Sequence, residues 1–280
     1  MSSTLTKSLV GEFEPLRLNF LRCLAASIVL WGIIPFSPGI QALSQAPWDA
    51  SLYLMASAFI GMSVGDTIYI KGLKLIEVTI AFPIAQSAMP LLTLFSAVLF
   101  LGEPITRFLI LGTALLLAGI YLITSPGRGV RPPQALRISE KRTKGISFVL
   151  AASLLWAISI SLLKVGLAEV SLILANGIRL PVASLALILF ILSQKSFRQP
   201  SRVGIRDVGL GAFSGVLSFG LGGFLFLGAI RYAGVAKATV LTSCAPLLGL
   251  PLSLFFLREK VTMRIIAGTI FSILGICFIV

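Results

Sequence analysis

The chain has 280 residues, of which 57% are hydrophobic and only 12% are charged. Soluble globular domains carry about 25% charged residues, so this chain has too few charges to cover a water-exposed surface. The composition excludes an ordinary soluble domain and indicates a polytopic, all-α membrane protein.

Histidine is absent, and the three cysteines lie inside apolar stretches: Cys23, Cys244 and Cys277. This pattern argues against a zinc site or a disulfide framework, and it removes the commonest general base of enzymes. An integral-membrane enzyme would need acids, histidines or a phosphate-binding loop clustered at one membrane face, and the sequence offers no such cluster. We therefore expect no enzymatic activity, cofactor or metal.

Nine apolar runs follow one another along the chain, and a transmembrane helix needs about 20 such residues. The runs cover 18–36, 52–72, 78–101, 108–124, 146–166, 172–192, 208–230, 235–257 and 265–280. Only 125–145 reads as a linker, with three prolines beside a basic cluster. The sequence therefore predicts one membrane unit in two halves, with no room for a soluble domain.

The charge is lopsided, with 23 Lys and Arg against 10 Asp and Glu, and alternate connections hold most of the positive residues. Because loops rich in Lys and Arg stay in the cytoplasm, we expect the linker 125–145 inside, the C-terminus outside, and an inner-membrane location. This interpretation explains the charge without a nucleic-acid partner. The basic connections carry Lys71 and Lys74; Arg128, Arg131, Arg137, Lys141, Arg142 and Lys144; Lys195, Arg198, Arg202 and Arg206; and Arg258, Lys260 and Arg264.

The two halves resemble each other in sequence, which is typical of transporters built from internal repeats. A shift of 156 residues aligns 87–123 with 243–279, with 15 identities in 37 columns. A shift of 157 aligns the front of each half. Shared apolar composition explains matched leucines, but hardly matched polar residues and prolines in order. These matches include Lys7/Lys164, Asn19/Asn176, Arg22/Arg179, Pro90/Pro246 and Glu103/Glu259.

The second unit contains five runs, and an odd number forces two serial copies into opposite membrane orientations. The sequence therefore predicts two inverted five-helix repeats, with residues 1–124 as the first, 125–145 as the cytoplasmic linker and 146–280 as the second. A full first copy would begin about 13 residues before Met1. We expect either a start upstream or a nine-span variant whose first helix is truncated.

This architecture resembles the drug/metabolite transporter superfamily, and within it the EamA-type transporters. The second unit opens with Trp156, Lys164 and Arg179 in the family's order. Each unit then closes with a Pro-Leu-Leu stretch (90–92 and 246–248), a Leu-x-Glu at a helix end (101–103 and 257–259) and a glycine-punctuated last helix. The resemblance implies secondary transport, often export, of small metabolites, amino acids or drugs.

Two polar faces are candidates for the substrate cavity. The third run places Thr79, Pro83, Gln86, Pro90 and Thr93 on one helical face, and the eighth run repeats the pattern with Thr239, Thr242 and Pro246. Prolines free backbone carbonyls that can bind substrate or permit bending. The alternative is interhelical packing through small residues and hydroxyls.

Asp66 lies inside the second run, and an acid within a membrane helix is a functional candidate by default. Ser63 and Tyr69 share its helical face. We expect Asp66 either to couple transport to protons or to bind a cation, or else to form a structural pair with Lys71 or Arg22.

The second half supplies three further candidates. Lys164 and Arg179, on adjacent helices near the outer side, would suit a substrate carboxylate or phosphate in a cleft, or they snorkel to the interface. Trp156 is either a stacking wall or an interface anchor.

We expect a secondary transporter that moves a small molecule by alternating access, with membrane lipid around it, possible proton coupling and a possible homodimer. The alternatives are a non-transporting membrane subunit or inactive truncated homologue and, less favoured, an integral-membrane enzyme.

Overall fold

The computed structural model describes residues 9, 13–36, 46–104, 106–124, 140–193, 204–243 and 263–279. Within these ranges the chain is helical and contains no strand. Pro246 and the linker prolines lie outside the described residues.

Nine helices in the described ranges correspond one to one with the nine apolar runs. Six of them are long and apolar enough to cross a membrane, and α4 and α9 contain shorter apolar stretches. The eighth run continues beyond the described residues, so its length is not compared. The helices are α1 Pro15–Ile33 (followed by the 3-10 turn Ile34–Phe36), α2 Trp48–Leu75, α3 Val78–Leu101, α4 Arg107–Thr124, α5 Glu140–Leu167, α6 Leu172–Ser193, α7 Ile205–Ala233, α8 Val235–Thr242 and α9 Met263–Ile279.

The helix α5 begins at Glu140, before the apolar run that predicted it. The last part of the expected linker 125–145 is therefore helical. The sequence missed this turn because its residues, Glu140 to Lys144, are mostly charged, and apolar content was the criterion for a membrane helix. Such residues form helix readily where the first turn projects from the membrane.

Helix starts recur at a fixed spacing in the two halves. The starts of α1, α2 and α3 precede those of α6, α7 and α8 by 157 residues, and α4 precedes α9 by 156. The irregularities recur as well, because α2 contains a π-helical segment at Ala58–Gly65 and α7 contains one at Val216–Gly222. A π-helical turn widens the helix and is often found at functional positions.

The repeat-related helices α4 and α9 cross through glycines. A Cβ atom on Gly112 would lie 2.7 Å from the carbonyl oxygen of Gly275, and one on Gly119 would lie 2.5 Å from that of Gly268. The partners run in reverse order, so the two helices are antiparallel. Only glycine allows backbones to approach this closely.

The ends of helices that carry basic residues lie together. Near the end of α2, a Cβ atom on Gly72 would lie 3.2 Å from the Gly145 carbonyl oxygen near the start of α5. Leu16 at the start of α1, Lys71 in α2 and Ser193 at the end of α6 line one cavity. Large apolar side chains such as Phe100 and Leu185 remain exposed on the helix flanks, where a membrane rather than water would cover them.

Candidate functional site

Asp66 is held by Trp156 at the end of the π segment of α2. The indole Nε1–H of Trp156 donates a hydrogen bond of 2.9 Å to Asp66 Oδ1, and the Tyr69 ring lies 5.1 Å from that of Trp156. A Cβ atom on Gly65 would lie 3.1 Å from the indole ring, so glycine leaves room for this approach. The structure thus joins two candidates that the sequence treated separately.

Two buried arginines lie near this carboxylate. Arg22 of α1 and Arg179 of α6 are 7% and 8% exposed, and both interact electrostatically with Asp66. Arg22 Nη2 donates to Ser218 Oγ at 3.1 Å, and its guanidinium lies 4.7 Å from the centre of the Phe219 ring. The structural pair of Asp66 with Arg22 stays a prediction, since only an electrostatic interaction relates the two groups here. The burial of Arg179 places its side chain among the helices.

Two asparagines hold the π segments, and sequence reasoning gave them no role. Asn19 Nδ2 donates to the Met62 carbonyl oxygen at 2.7 Å, and Asn176 Nδ2 donates to that of Phe219 at 3.2 Å. Because a π-helical turn shifts the hydrogen-bond register, carbonyl groups there need other donors. The available signal was the Asn19/Asn176 match between the halves. Met62 and Phe219 are separated by the same 157 residues.

A cavity of about 280 Å³ opens between the helices that carry the charged cluster. Its wall includes Leu16 of α1, Ser63, Thr67 and Lys71 of α2, and Phe190 of α6. Ser63 and Thr67 flank Asp66 along α2, and Thr67 Oγ1 accepts a second hydrogen bond from Asn19, at 3.1 Å. Lys71 belongs to this cavity wall, whereas Asp66 accepts its hydrogen bond from Trp156.

The two predicted polar faces of α3 and α8 contact each other. Gln86 Nε2 donates to the Thr242 carbonyl oxygen at 3.3 Å, and Ser243 Oγ donates to that of Gln86 at 3.2 Å. Thr239 and Pro90 are buried. These contacts are those of interhelical packing. Thr79 and Pro83 lie in α3, but their side chains fall outside the described part, as does Pro246.

Lys164 lies at the end of α5, away from the cluster. Its Nζ donates to the Ile230 carbonyl oxygen at 3.2 Å, while Arg231 of α7 donates to the Leu167 and Val170 carbonyl oxygens. Each cation thus binds carbonyls at the C-terminal end of a helix, where positive charge is favoured. Lys164 and Arg231 also line a second cavity of about 190 Å³. The predicted cleft for an anionic substrate beside Lys164 and Arg179 stays a prediction.

Glu103 connects the end of α3 to the start of α8. Its carboxylate accepts hydrogen bonds from the backbone N–H groups of Val235 at 2.8 Å and Ala236 at 3.0 Å. A carboxylate suits a helix N-terminus, where N–H groups lack partners within the helix. Gly234 precedes this helix at φ +85°, a conformation that favours glycine.

Comparison with known proteins identifies relatives of the whole chain. The model of the EamA-like transporter family matches residues 1–125 and 143–280. An uncharacterized transporter from Archaeoglobus fulgidus is 24% identical over 271 residues, covering 95% of this chain and 88% of that protein. A crystal structure aligns with a TM-score of 0.73 over 99% of this chain and 91% of its own, at 17% identity.

The solved structure shows likeness of fold alone, because its sequence identity is low. The family match spans both halves of the chain, and the apolar helices described above fit a multi-pass membrane protein. The chain belongs to the EamA-like transporter family, as its sequence motifs predicted, and is a membrane transporter.

Proposed function

We propose that this protein is a secondary transporter in which two inverted five-helix units, 1–124 and 146–280, move around the cluster of Arg22, Asp66 and Arg179. The antiparallel crossing of α4 and α9 supports the inverted arrangement. The equal spacing of helix starts supports the duplication. In transporters of this design, the substrate site lies between the two repeats near the membrane midplane.

The observation that carries the mechanism is the pair of π segments, at Ala58–Gly65 and Val216–Gly222. Each lies at the middle of a long helix, and each has one carbonyl bound by an asparagine from another helix. Local departures from α-helical geometry are positions where a helix bends. Breaking and remaking these side-chain bonds would let the halves of α2 and α7 tilt, opening the cluster to one side at a time.

Asp66 is the candidate coupling group within this mechanism. Trp156 donates a hydrogen bond to its carboxylate, and two buried cations, Arg22 and Arg179, lie near it, so the charge on Asp66 matters to whatever binds beside it. Tyr69 and Cys23 are the other titratable groups near the cluster, and Lys71 lies further along α2. Proton movement on and off Asp66 would couple the two orientations to a proton gradient.

The positions of the basic helix ends support a sidedness for the cycle. Lys71, Lys74, Lys141 and Lys144 lie on α2 and α5 ends that contact each other through Gly72 and Gly145. Positive charge concentrated on one face favours that face as cytoplasmic. We therefore place the cavity beside Lys71 on the cytoplasmic side of the inner membrane and the C-terminus outside. The direction that we propose, export, is the one that the family resemblance implies.

Flux in proteoliposomes with an imposed proton gradient tests this proposal. The purified full chain is reconstituted, loaded with a mixture of radiolabelled amino acids and organic acids, and followed for gradient-driven efflux. Efflux that requires the gradient supports the proposal. Equal efflux from protein-free vesicles, or from vesicles carrying the protein without a gradient, would contradict coupled transport.

A further inference from the structure

The charged cluster differs between the two halves of the duplication. Arg22 and Arg179 are equivalent under the 157-residue shift, but the position equivalent to Asp66 is Gly223. One carboxylate, Asp66, therefore interacts with two guanidinium groups in the described structure. Taken together, the three groups leave one positive charge in excess.

The hydrogen bonding of the two arginines differs in the same way. Arg22 donates to Ser218 Oγ, but the position equivalent to Ser218 in the first half is Gly61. Ser159 of α5 packs directly over Gly61 and donates instead to the Ser57 carbonyl oxygen at 2.8 Å. Arg179 therefore has no hydroxyl in the matching place. The buried Nε atoms of Arg179 and of Arg22 both lack a hydrogen-bond partner among the described residues, but Arg22 has the bond from its Nη2 to Ser218.

A buried guanidinium with an unused donor is costly. Burying a charge is tolerated when it is paired and hydrogen-bonded, and a guanidinium presents donors in a planar fork that matches a carboxylate. An anionic oxygen group placed beside Arg179 would use the idle Nε–H and cancel the excess positive charge. An amine or cationic drug would meet that excess charge instead.

We propose that the transported substrate carries a carboxylate, which the guanidinium of Arg179 binds. This inference rests on the proposed function and names the substrate class for the same site. The cavity of about 280 Å³ between α1, α2 and α6 lies along these helices toward Lys71 and Ser193; its lining does not include Arg22, Asp66 or Arg179. Lys71 in its wall adds a further positive charge along the route.

Matched small molecules separate carboxylate binding from the alternatives. The purified full chain in detergent is heated with hexanoate, hexanamide or hexylamine, and with phenylacetate, phenylacetamide or phenethylamine. We expect the carboxylates alone to raise the unfolding temperature. Stabilisation by an amine or amide to an equal or greater extent, or no carboxylate stabilisation in either series, would overturn the proposal.

Two variants assign the effect to Arg179. Arg179→Gln should weaken carboxylate binding by about tenfold or more, since a charge-assisted bidentate pair is lost. Arg107→Gln is the matched control, because Arg107 is exposed at the start of α4, and it should retain the response. Equal carboxylate binding by Arg179→Gln and the wild type would overturn the assignment.

Gly223→Asp tests the site without removing an arginine. A Cβ atom at 223 would lie 3.1 Å from Asn176 Nδ2, which can donate to the new carboxylate. This second acid should cancel the excess positive charge and abolish carboxylate stabilisation. Retained carboxylate binding in this variant would contradict the charge argument.

Flux measurements keep this inference distinct from the proposed function. Carboxylate binding in detergent without gradient-driven efflux would leave the anion site standing and overturn coupled transport. Efflux of amines that does not depend on Arg179 would overturn the anion site and leave transport standing.

Discussion

The two π segments have the same backbone geometry, but the side chains in and beside them differ. Ala58–Gly65 and Val216–Gly222 interrupt equivalent helices, and asparagines 157 residues apart bind equivalent carbonyls in them. Yet the first half has Gly61 and Asp66 where the second has Ser218 and Gly223. Duplication supplies a symmetric frame, and a few side chains break the symmetry. A symmetric frame favours two equivalent orientations, while an asymmetric charge set gives the site a preference for one ligand class.

The largest expected effect comes from removing the acid that distinguishes the halves. Asp66→Asn makes the first half resemble the second in charge, and we expect gradient-driven transport to fall by about tenfold or more because the coupling group is lost. The measurement is efflux from proteoliposomes across a series of pH values. Asp49→Asn is the control, since Asp49 is exposed in the first turn of α2. Unchanged pH dependence in Asp66→Asn would count against proton coupling.

Weakening the crossing of α4 and α9 should lower the stability of the protein equally, whichever of the two helices carries the substitution. Gly119→Ala in α4 and its repeat equivalent Gly275→Ala in α9 each push a methyl group against a backbone carbonyl across the α4–α9 crossing, and overpacking of this kind costs about 1–3 kcal/mol. Thermal unfolding in detergent measures the loss. Gly32→Ala is the control, because a Cβ atom there meets nothing within 4 Å. A loss in one variant but not in the other would break the symmetry of the crossing.

Substituting the two asparagines tests how much each one stabilises its π segment. Asn19→Leu and Asn176→Leu each leave a carbonyl without its donor, which costs about 1–3 kcal/mol when the group is buried. Asn19 donates two hydrogen bonds, to Met62 and Thr67, and its amide oxygen accepts one from the Cys23 thiol, whereas Asn176 donates one in the described structure. Asn19→Leu should therefore lower the unfolding temperature more. The reverse order would show that the additional bonds of Asn19 do not add to stability.

The smallest effect is expected from Ser218→Ala. This substitution removes from the second half a hydroxyl that the first half also lacks, because the equivalent position there is Gly61. Arg22 loses one acceptor but keeps its contact with Phe219, so we expect a stability loss of about 1 kcal/mol. Transport and thermal unfolding should both change little. Ser147→Ala, at an exposed position in α5, provides the background value.

Much of the frame could be predicted from the sequence because it depends on apolar content and on order along the chain. All nine runs contain helices in the described structure, and the family motifs around Trp156, Arg179 and the Leu-x-Glu ends were correct guides to the family. The ten-helix inverted count and the two domain boundaries stay predictions. Proton coupling and a homodimer also stay predictions.

The site was predicted less completely, because contacts across the bundle leave no local pattern. The indole of Trp156 meets Asp66 across 90 residues, and nothing in the spacing of either run indicates it. The face of α3 and α8 around Gln86 and Thr242 was predicted as polar, but whether it faces a cavity or another helix depends on helix rotation. Lys164 was grouped with Arg179 by proximity along the chain, yet it binds the end of α7.

The sequence by itself determined the membrane class, the order of the helices, the basic side of the protein and the family. These properties follow from the order of apolar and charged residues along the chain. Water and lipid select each segment by its own composition, so no contact with a distant segment is needed. Only the tertiary structure decided that Arg22, Asp66 and Arg179 form one cluster and that asparagines secure two π segments. The reason is geometric, since helix rotation and crossing set which buried polar groups meet, and each buried group must find its partner there.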